Sequence, residues 1–365
     1  MNKSIGFAES TRPAAYGERV RETGWRAAMT DALYGTDGFF VAPDGGPAGH
    51  FRTSAHASPL FASALLRLIS RIDDALGHPE QFDVVDVGAG RGELLAAVRS
   101  LADFRDRVRW TGVELAPRPP GLPTDIAWRR DVPGGIVGLL VATEWLDNVP
   151  LELAELDDHG QVRRVLVNPE SGEESLGGAV DAADAYWLAR WWPALHTPGE
   201  RAEIGWPRDV AWADAVASVR RGCALAVDYG HLRAERPTFG TLTGFRDGRQ
   251  VAPVPDGSCD ITAHVAIDSV AAGAGAAYEI VSQRAALKAL GIDGGRPPRS
   301  LASTDPAGYL RALSAAGAAA ELTDPAGLGG HWWLIHGVGI DVPLGLDSVR
   351  AQRPPAGYGN YDRSS

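Results

Sequence analysis

Three glycines alternate behind a short β-branched run in Phe82-Asp83-Val84-Val85-Asp86-Val87-Gly88-Ala89-Gly90-Arg91-Gly92-Glu93-Leu94-Leu95, and an acid, Asp86, stands two positions before the first of them. That order predicts a buried strand, a tight turn and the start of an amphipathic helix. Glycine lets the turn bend sharply and lets backbone approach a ligand where a Cβ would collide. The helix N-terminus beyond it supplies unpaired N–H groups suited to anionic ligand groups. Gly88, Gly90 and Gly92 read G-x-G-x-G. A dinucleotide fold carries G-x-G-x-x-G instead, which counts against a nicotinamide-dependent dehydrogenase.

Further acids fall where the strands of a parallel sheet would end, the edge at which such sheets bind ligands. Val108 to Val113 runs into Glu114, 22 residues past Gly92. An acid there either accepts from both hydroxyls of a ribose or stays solvated. Asp131, after a third run, either accepts from an adenine amino group or is an exposed loop acid. Ile136 to Thr143 is almost wholly apolar and leads into Glu144-Trp145-Leu146-Asp147-Asn148-Val149-Pro150. Burying a carboxylate there without a partner is costly, so Glu144 requires a partner or a substrate. A later run ends Val227-Asp228-Tyr229-Gly230-His231. Asp147 and Asp228 either face a substrate or satisfy loop amides.

Elements of two kinds must position these residues. Strands are expected at 82–88, 108–114, 125–129, 136–143, 222–229, 277–283 and 331–338, with helical patterns between several of them. Such alternation predicts an α/β fold with a doubly wound parallel sheet. Residues 1–81 read as an N-terminal helical cap and loop. A helix is expected over Glu18 to Leu33, then an irregular stretch bearing His50 and His56, then a helix over Leu60 to Leu76 that stops at Gly77. Residues 82–350 form the main domain, with large insertions at about 151–221 and 231–260, and 351–365 is a tail expected to be mobile. The first insertion lies between strands four and five. It opens with a hairpin, 151–156 and 162–167, whose period slips at Glu155, predicting a bulge or an edge position. Trp-rich helices follow around Tyr186–Trp192 and Pro207–Val219. The second insertion reads as a loop.

With 365 residues, 45% of them hydrophobic, the chain can bury a sizeable core. A net charge of −11 argues against nucleic-acid backbone or an anionic membrane surface as a partner. No run reaches the length of a membrane span and the first residues lack a signal-peptide core, so a cytoplasmic location is expected. Cys223 and Cys259 suit neither a disulfide framework nor a metal-ligand spacing, so no metal is expected.

The acid-then-glycine pattern resembles the first motif of S-adenosyl-L-methionine (SAM) dependent methyltransferases. Ala142-Thr143-Glu144-Trp145-Leu146-Asp147-Asn148-Val149-Pro150 is similar to the A-N-E-F-F-D-A-L-P segment of the MidA family, relatives of the mitochondrial complex I assembly methyltransferase. Ala32-Leu33-Tyr34, Gly38-Phe39-Phe40, Phe51-Arg52-Thr53-Ser54, Asp228-Tyr229-Gly230-His231, Gly240 to Arg246 and Asp260-Ile261-Thr262-Ala263-His264-Val265 agree in order, and the resemblance runs from about residue 25 to 340. It implies a class I methyltransferase-like fold with SAM as cofactor. Asp86, Gly88, Gly90, Gly92, Glu114, Asp131 and Thr143 are then the cofactor-binding candidates. It further implies a protein arginine acceptor, as in a respiratory-complex subunit. Carboxylates would orient a guanidinium, Glu144 first with Asp147 and Asp228 behind it. His264 would take the released proton, or else be a structural histidine bonded to Asp260 or a loop carbonyl. His50 and His56 stand where the family commonly has acids, and Arg246-Asp247-Gly248-Arg249 lacks its usual histidine. That altered cap leaves open a small-molecule acceptor. An assembly factor without turnover is a further reading, binding through Trp187, Trp191, Trp192, Trp206 and Trp212, unless these tryptophans pack the core.

Overall fold

In the computed structural model, which describes residues 22–41, 59–193, 195–292 and 294–345, the apolar runs pair into a seven-stranded sheet. Its strands are β1 (Phe82–Val87), β2 (Val108–Val113), β3 (Ile126–Arg129), β4 (Ile136–Thr143), β5 (Val219–Asp228), β6 (Tyr278–Ser282) and β7 (Trp332–Val338). Their order across the sheet is β6-β7-β5-β4-β1-β2-β3. β1 to β5 pair in parallel. β7 runs antiparallel to both β5 and β6, which corrects the expected all-parallel sheet at one strand. Ser282 pairs with Trp332, so β7 begins beside the end of β6 and no crossover to the opposite end is needed.

Period-two alternation sends the two sets of side chains to opposite faces. Val84, Leu139, Val141, Leu225 and Trp333 pack against Phe61, Leu65, Leu68 and Ile72 of the helix Pro59–Leu76. On the other face Val85, Val87, Leu140, Ala224 and Leu334 pack against Trp212 and Val216 of Trp206–Ala217 and Val270 of Ile267–Gly273. Gly77, at φ +76°, follows the helix Pro59–Leu76 as a left-handed stop.

The N-terminal helix spans Trp25–Tyr34 rather than starting at Glu18, because Thr23–Gly24 pair instead with Leu166–Val167. His50, His56, the start of the expected helix and the tail from 351 lie outside the described residues. The first insertion supplies four strands of a second, five-stranded sheet, and Thr23–Gly24 supplies the fifth. Its hairpin forms as expected, but Glu155 is neither bulged nor at an edge. Glu152–Leu156 pairs on both sides, with Val162–Val167 and with Arg201–Ile204. Glu155 breaks the apolar period because it meets Arg201 at 2.7 Å across that second pairing. Trp187, Trp191, Trp192 and Trp212 are buried. Trp187 donates to Asp209 and Ser269, and these four rings pack the core, while Trp206 is half-buried beside them and donates to Asp184. The second insertion is more than a loop: Thr243–Arg246 pairs with Arg249–Val251 and with Asp260–Thr262. Among the described residues no helix is long and apolar enough to cross a membrane.

Candidate active site

Between β1 and β4 the chain departs to opposite sides of the sheet, and a cavity of about 1090 Å³ opens there beyond the carboxyl ends of β1, β2 and β4. The glycine turn forms one wall. Gly90 has φ +56°, and a Cβ built on it would meet no protein atom nearer than Glu93 Oε2 at 4.0 Å. Its open side faces the cavity. Gly88 lines the cavity too, under Trp145. Gly92 does not line it: a Cβ there would strike Leu122 at 2.7 Å, so this glycine lets the helix Glu93–Leu101 pack closely.

Glu114, at the end of β2, accepts from the backbone N–H of Gly90 at 3.0 Å and of Leu115 at 2.6 Å. It is therefore not the solvated strand-end acid that was one of its two readings. Burial raises its pKa against the opposing pull of those amides. Asp86 is buried on β1 beside it. Burial first, then the charges of Glu114 and Glu93, push its pKa up to about 8. Its Oδ1 has no hydrogen-bond partner among the described residues. Asp131 lines the exposed rim and Thr143 the end of β4.

Acids gather at the other end. Glu144 has φ +50°, a backbone region that non-glycine residues seldom hold, and its N–H donates to Val227 O at 2.8 Å. Asp147 is buried and accepts through Oδ2 from Tyr229 and from Thr262, the latter at 2.7 Å. Its Oδ1 has no partner among the described residues. Asp260 accepts from Asn148 Nδ2 at 2.7 Å, and burial together with Asp147 and Glu144 pushes its pKa up to about 8. Tyr34 donates to Asn148 O at 3.2 Å. Burial raises the pKa of both Tyr34 and Tyr229, so each is a neutral donor at physiological pH.

Two expected site residues lie elsewhere. Asp228 does not line the cavity: its carboxylate accepts from the N–H groups of Leu146, Asp147 and Tyr229, the loop-amide reading. His264 stacks edge-on against Tyr229, ring centroids 5.1 Å apart, and does not line the cavity. The residue is exposed by area, yet crowding of its ring holds its pKa below the usual imidazole value. Tyr34, Asn148, Tyr229, Asp260 and Thr262 all line the cavity and were not among the expected site residues. All five stood inside the segments that carried the family resemblance, which was the available signal.

Whether this cavity fits SAM can be tested on the chain itself. The sulfonium and ammonium of SAM are cations, and Asp86 offers a buried carboxylate oxygen without a partner. The cradle at Gly90 admits a ligand where a side chain would intrude. The fit is good, with Gly88, Gly90, Asp86 and Glu114 as the wall.

A sheet of this order with a glycine turn and acid-rich cavity at its switch point defines a class I methyltransferase-like protein. The model of the S-adenosyl-L-methionine-dependent methyltransferase family matches residues 64–285, and the chain belongs to that family. It is similar to a Burkholderia thailandensis protein crystallised with S-adenosyl-homocysteine, 25% identical with a TM-score of 0.74 over 88% of this chain and 89% of that one. A native structure from the same organism gives a TM-score of 0.72 at 25% identity, covering 88% and 90%. The chain is also 27% identical over 266 residues to the mitochondrial protein arginine methyltransferase NDUFAF7 homolog of Drosophila melanogaster. That match covers 60% of this chain and spans 59% of the relative's length. The MidA resemblance and the SAM cofactor are borne out.

Proposed function

We propose that this methyltransferase acts on a protein arginine side chain. The observation that carries the reading is the acidic end of the cavity, where Glu144, Asp147 and Asp260 converge from two separate segments beside the glycine turn. A guanidinium is always protonated and presents planar N–H donors, so paired carboxylates both bind and orient it. The arginine methyltransferase named among the relatives supports the same acceptor.

Bound SAM supplies an activated methyl group on a sulfonium. The chain's part is to hold the acceptor nitrogen in line and exclude water. Glu144, together with Asp260 once the bound guanidinium has favoured its ionised form, draws positive charge to the far side of the guanidinium and leaves the reacting nitrogen electron-rich. Held there, SAM would supply the methyl group for the new N–C bond, and the electron pair of its C–S bond would leave on sulfur. One proton then leaves the nitrogen, and Asp147 Oδ1, buried and unpartnered among the described residues, takes it. Asp228 shapes the loop that carries Asp147, while Glu114 would hold the ribose hydroxyls of SAM, Asp131 its adenine, and Thr143 would stand between the cofactor and the acceptor. Incubating a cell extract with the protein and methyl-labelled SAM, then reading tryptic peptides by mass spectrometry, tests this. Labelled arginine side chains are expected; label confined to small molecules would instead identify a small-molecule methyltransferase, and none at all a binding protein without turnover.

A further inference from the structure

Arg208 is a guanidinium sealed inside the protein at 1% exposure, and it makes no hydrogen bond to a carboxylate in the described structure. It sits in the first turn of Trp206–Ala217, a helix of the first insertion. Its donors all reach backbone carbonyls: Nη2 to Asp147 O at 2.5 Å, Nε to Val149 O at 3.1 Å, and Nη1 to Ala263 O at 2.9 Å and His264 O at 3.0 Å. Those carbonyls belong to the two segments that carry the acceptor-end side chains, 144–150 with Glu144 and Asp147, and 260–264 with Asp260 and Thr262. The segments also touch directly, through Ala263 N–H on Asp147 O and Asn148 Nδ2 on Ile261 O.

A buried cation spanning four carbonyls is expensive unless its surroundings are negative. They are negative: burial lowers its pKa overall, and the nearby Glu203, Asp147 and Asp228 pull the other way. A planar fork with five donors can hold several carbonyls in fixed relative positions, which an ammonium on a flexible stem cannot. We propose that Arg208 is the positioning residue of the acceptor end, fixing the distance between the Glu144–Asp147 loop and the Asp260–Thr262 strand from behind. The first insertion thus does more than decorate the sheet, because one of its helices sets the geometry of the site. This rests on the acceptor-end reading given above.

The test uses the full chain with Arg208→Lys, which keeps the charge, and Arg208→Met, which loses both charge and fork. Hydrogen exchange is read first, since it depends on no acceptor. In Arg208→Met the amides of Leu146, Asp147 and Ala263 should exchange roughly tenfold faster or more, with those of β1 and the glycine turn unchanged. Methyl incorporation from labelled SAM into whole extract should fall on the order of 10², the cost of a small misplacement of reacting groups. Arg208→Lys should recover part of that loss, and SAM affinity should stay within about threefold in both. Wild-type exchange in Arg208→Met would overturn the proposal. So would a SAM affinity that falls in step with turnover, because Arg208 would then support the whole fold. If the wild type labels small molecules alone, the arginine acceptor falls while the exchange result still decides the role of Arg208.

Discussion

The backbone N–H of Gly90 donates to the Glu114 carboxylate at 3.0 Å, joining the turn after β1 to the end of β2 in one hydrogen-bonded unit. The acid that ends β2 therefore also holds the glycine turn that lines the cavity. Each of the two shapes the other's place in the cavity wall.

Glu114→Gln should weaken both functions. The amide keeps one acceptor oxygen, but its NH₂ must then face an N–H donor, Gly90 on one side or Leu115 on the other. Losing a charge-assisted hydrogen bond typically costs about 1.5–3 kcal/mol, so SAM affinity should fall about ten- to a hundredfold. Calorimetric titration measures this, and an unchanged affinity would remove Glu114 from the site.

Gly90→Val and Gly92→Val should fail in different ways. At Gly90 the side chain enters the open cavity, so SAM binding is lost while strain at φ +56° costs about 1–3 kcal/mol of stability. At Gly92 it meets Leu122 at 2.7 Å, so the thermal midpoint falls further and binding is lost through the fold. A Gly90→Val protein that still binds SAM normally would contradict the assignment.

The core sheet and the glycine-turn wall of the cavity were legible because they rest on local pattern. Period-two runs mark each strand, and Gly88, Gly90 and Glu114 follow strands directly. The acceptor end was only partly legible. Tyr34 reaches Asn148 across 114 positions and Asn148 reaches Asp260 across 112, and no local period encodes such pairings. Arg208 was invisible for the same reason, since a charged residue in a helical pattern reads as a solvated face. Asp228 and His264 stood in motif-like segments, but tertiary packing turned one onto loop amides and the other against Tyr229. Glu155 looked like an interruption because its partner Arg201 comes from a strand 46 residues on.

Asp86 makes the protein's behaviour depend on pH. Its native pKa of about 8 lies above the ordinary value of 3.8, so between them the native state keeps a proton that the unfolded chain has lost. The stability from this group is present in full below about pH 3.8 and is lost as pH rises through about 8. A cationic ligand favours the ionised form, so SAM should bind more tightly as pH rises toward 8 and release protons on binding. Calorimetry at pH 7 in two buffers of different ionisation enthalpy reads that release. Asp86→Asn should abolish much of it and flatten the pH dependence of stability; equal release in the variant would assign the proton elsewhere.

The division of one cavity into a cofactor end and an acceptor end is tested most directly by Glu144→Gln, with SAM affinity and turnover measured on the same preparation. The substitution keeps shape and removes charge at the residue that opens the acceptor end. Turnover should fall about 10² to 10³, roughly 3 to 4 kcal/mol, while SAM affinity stays within about threefold. Full turnover, or a loss of SAM affinity as large as the loss of rate, would contradict that division.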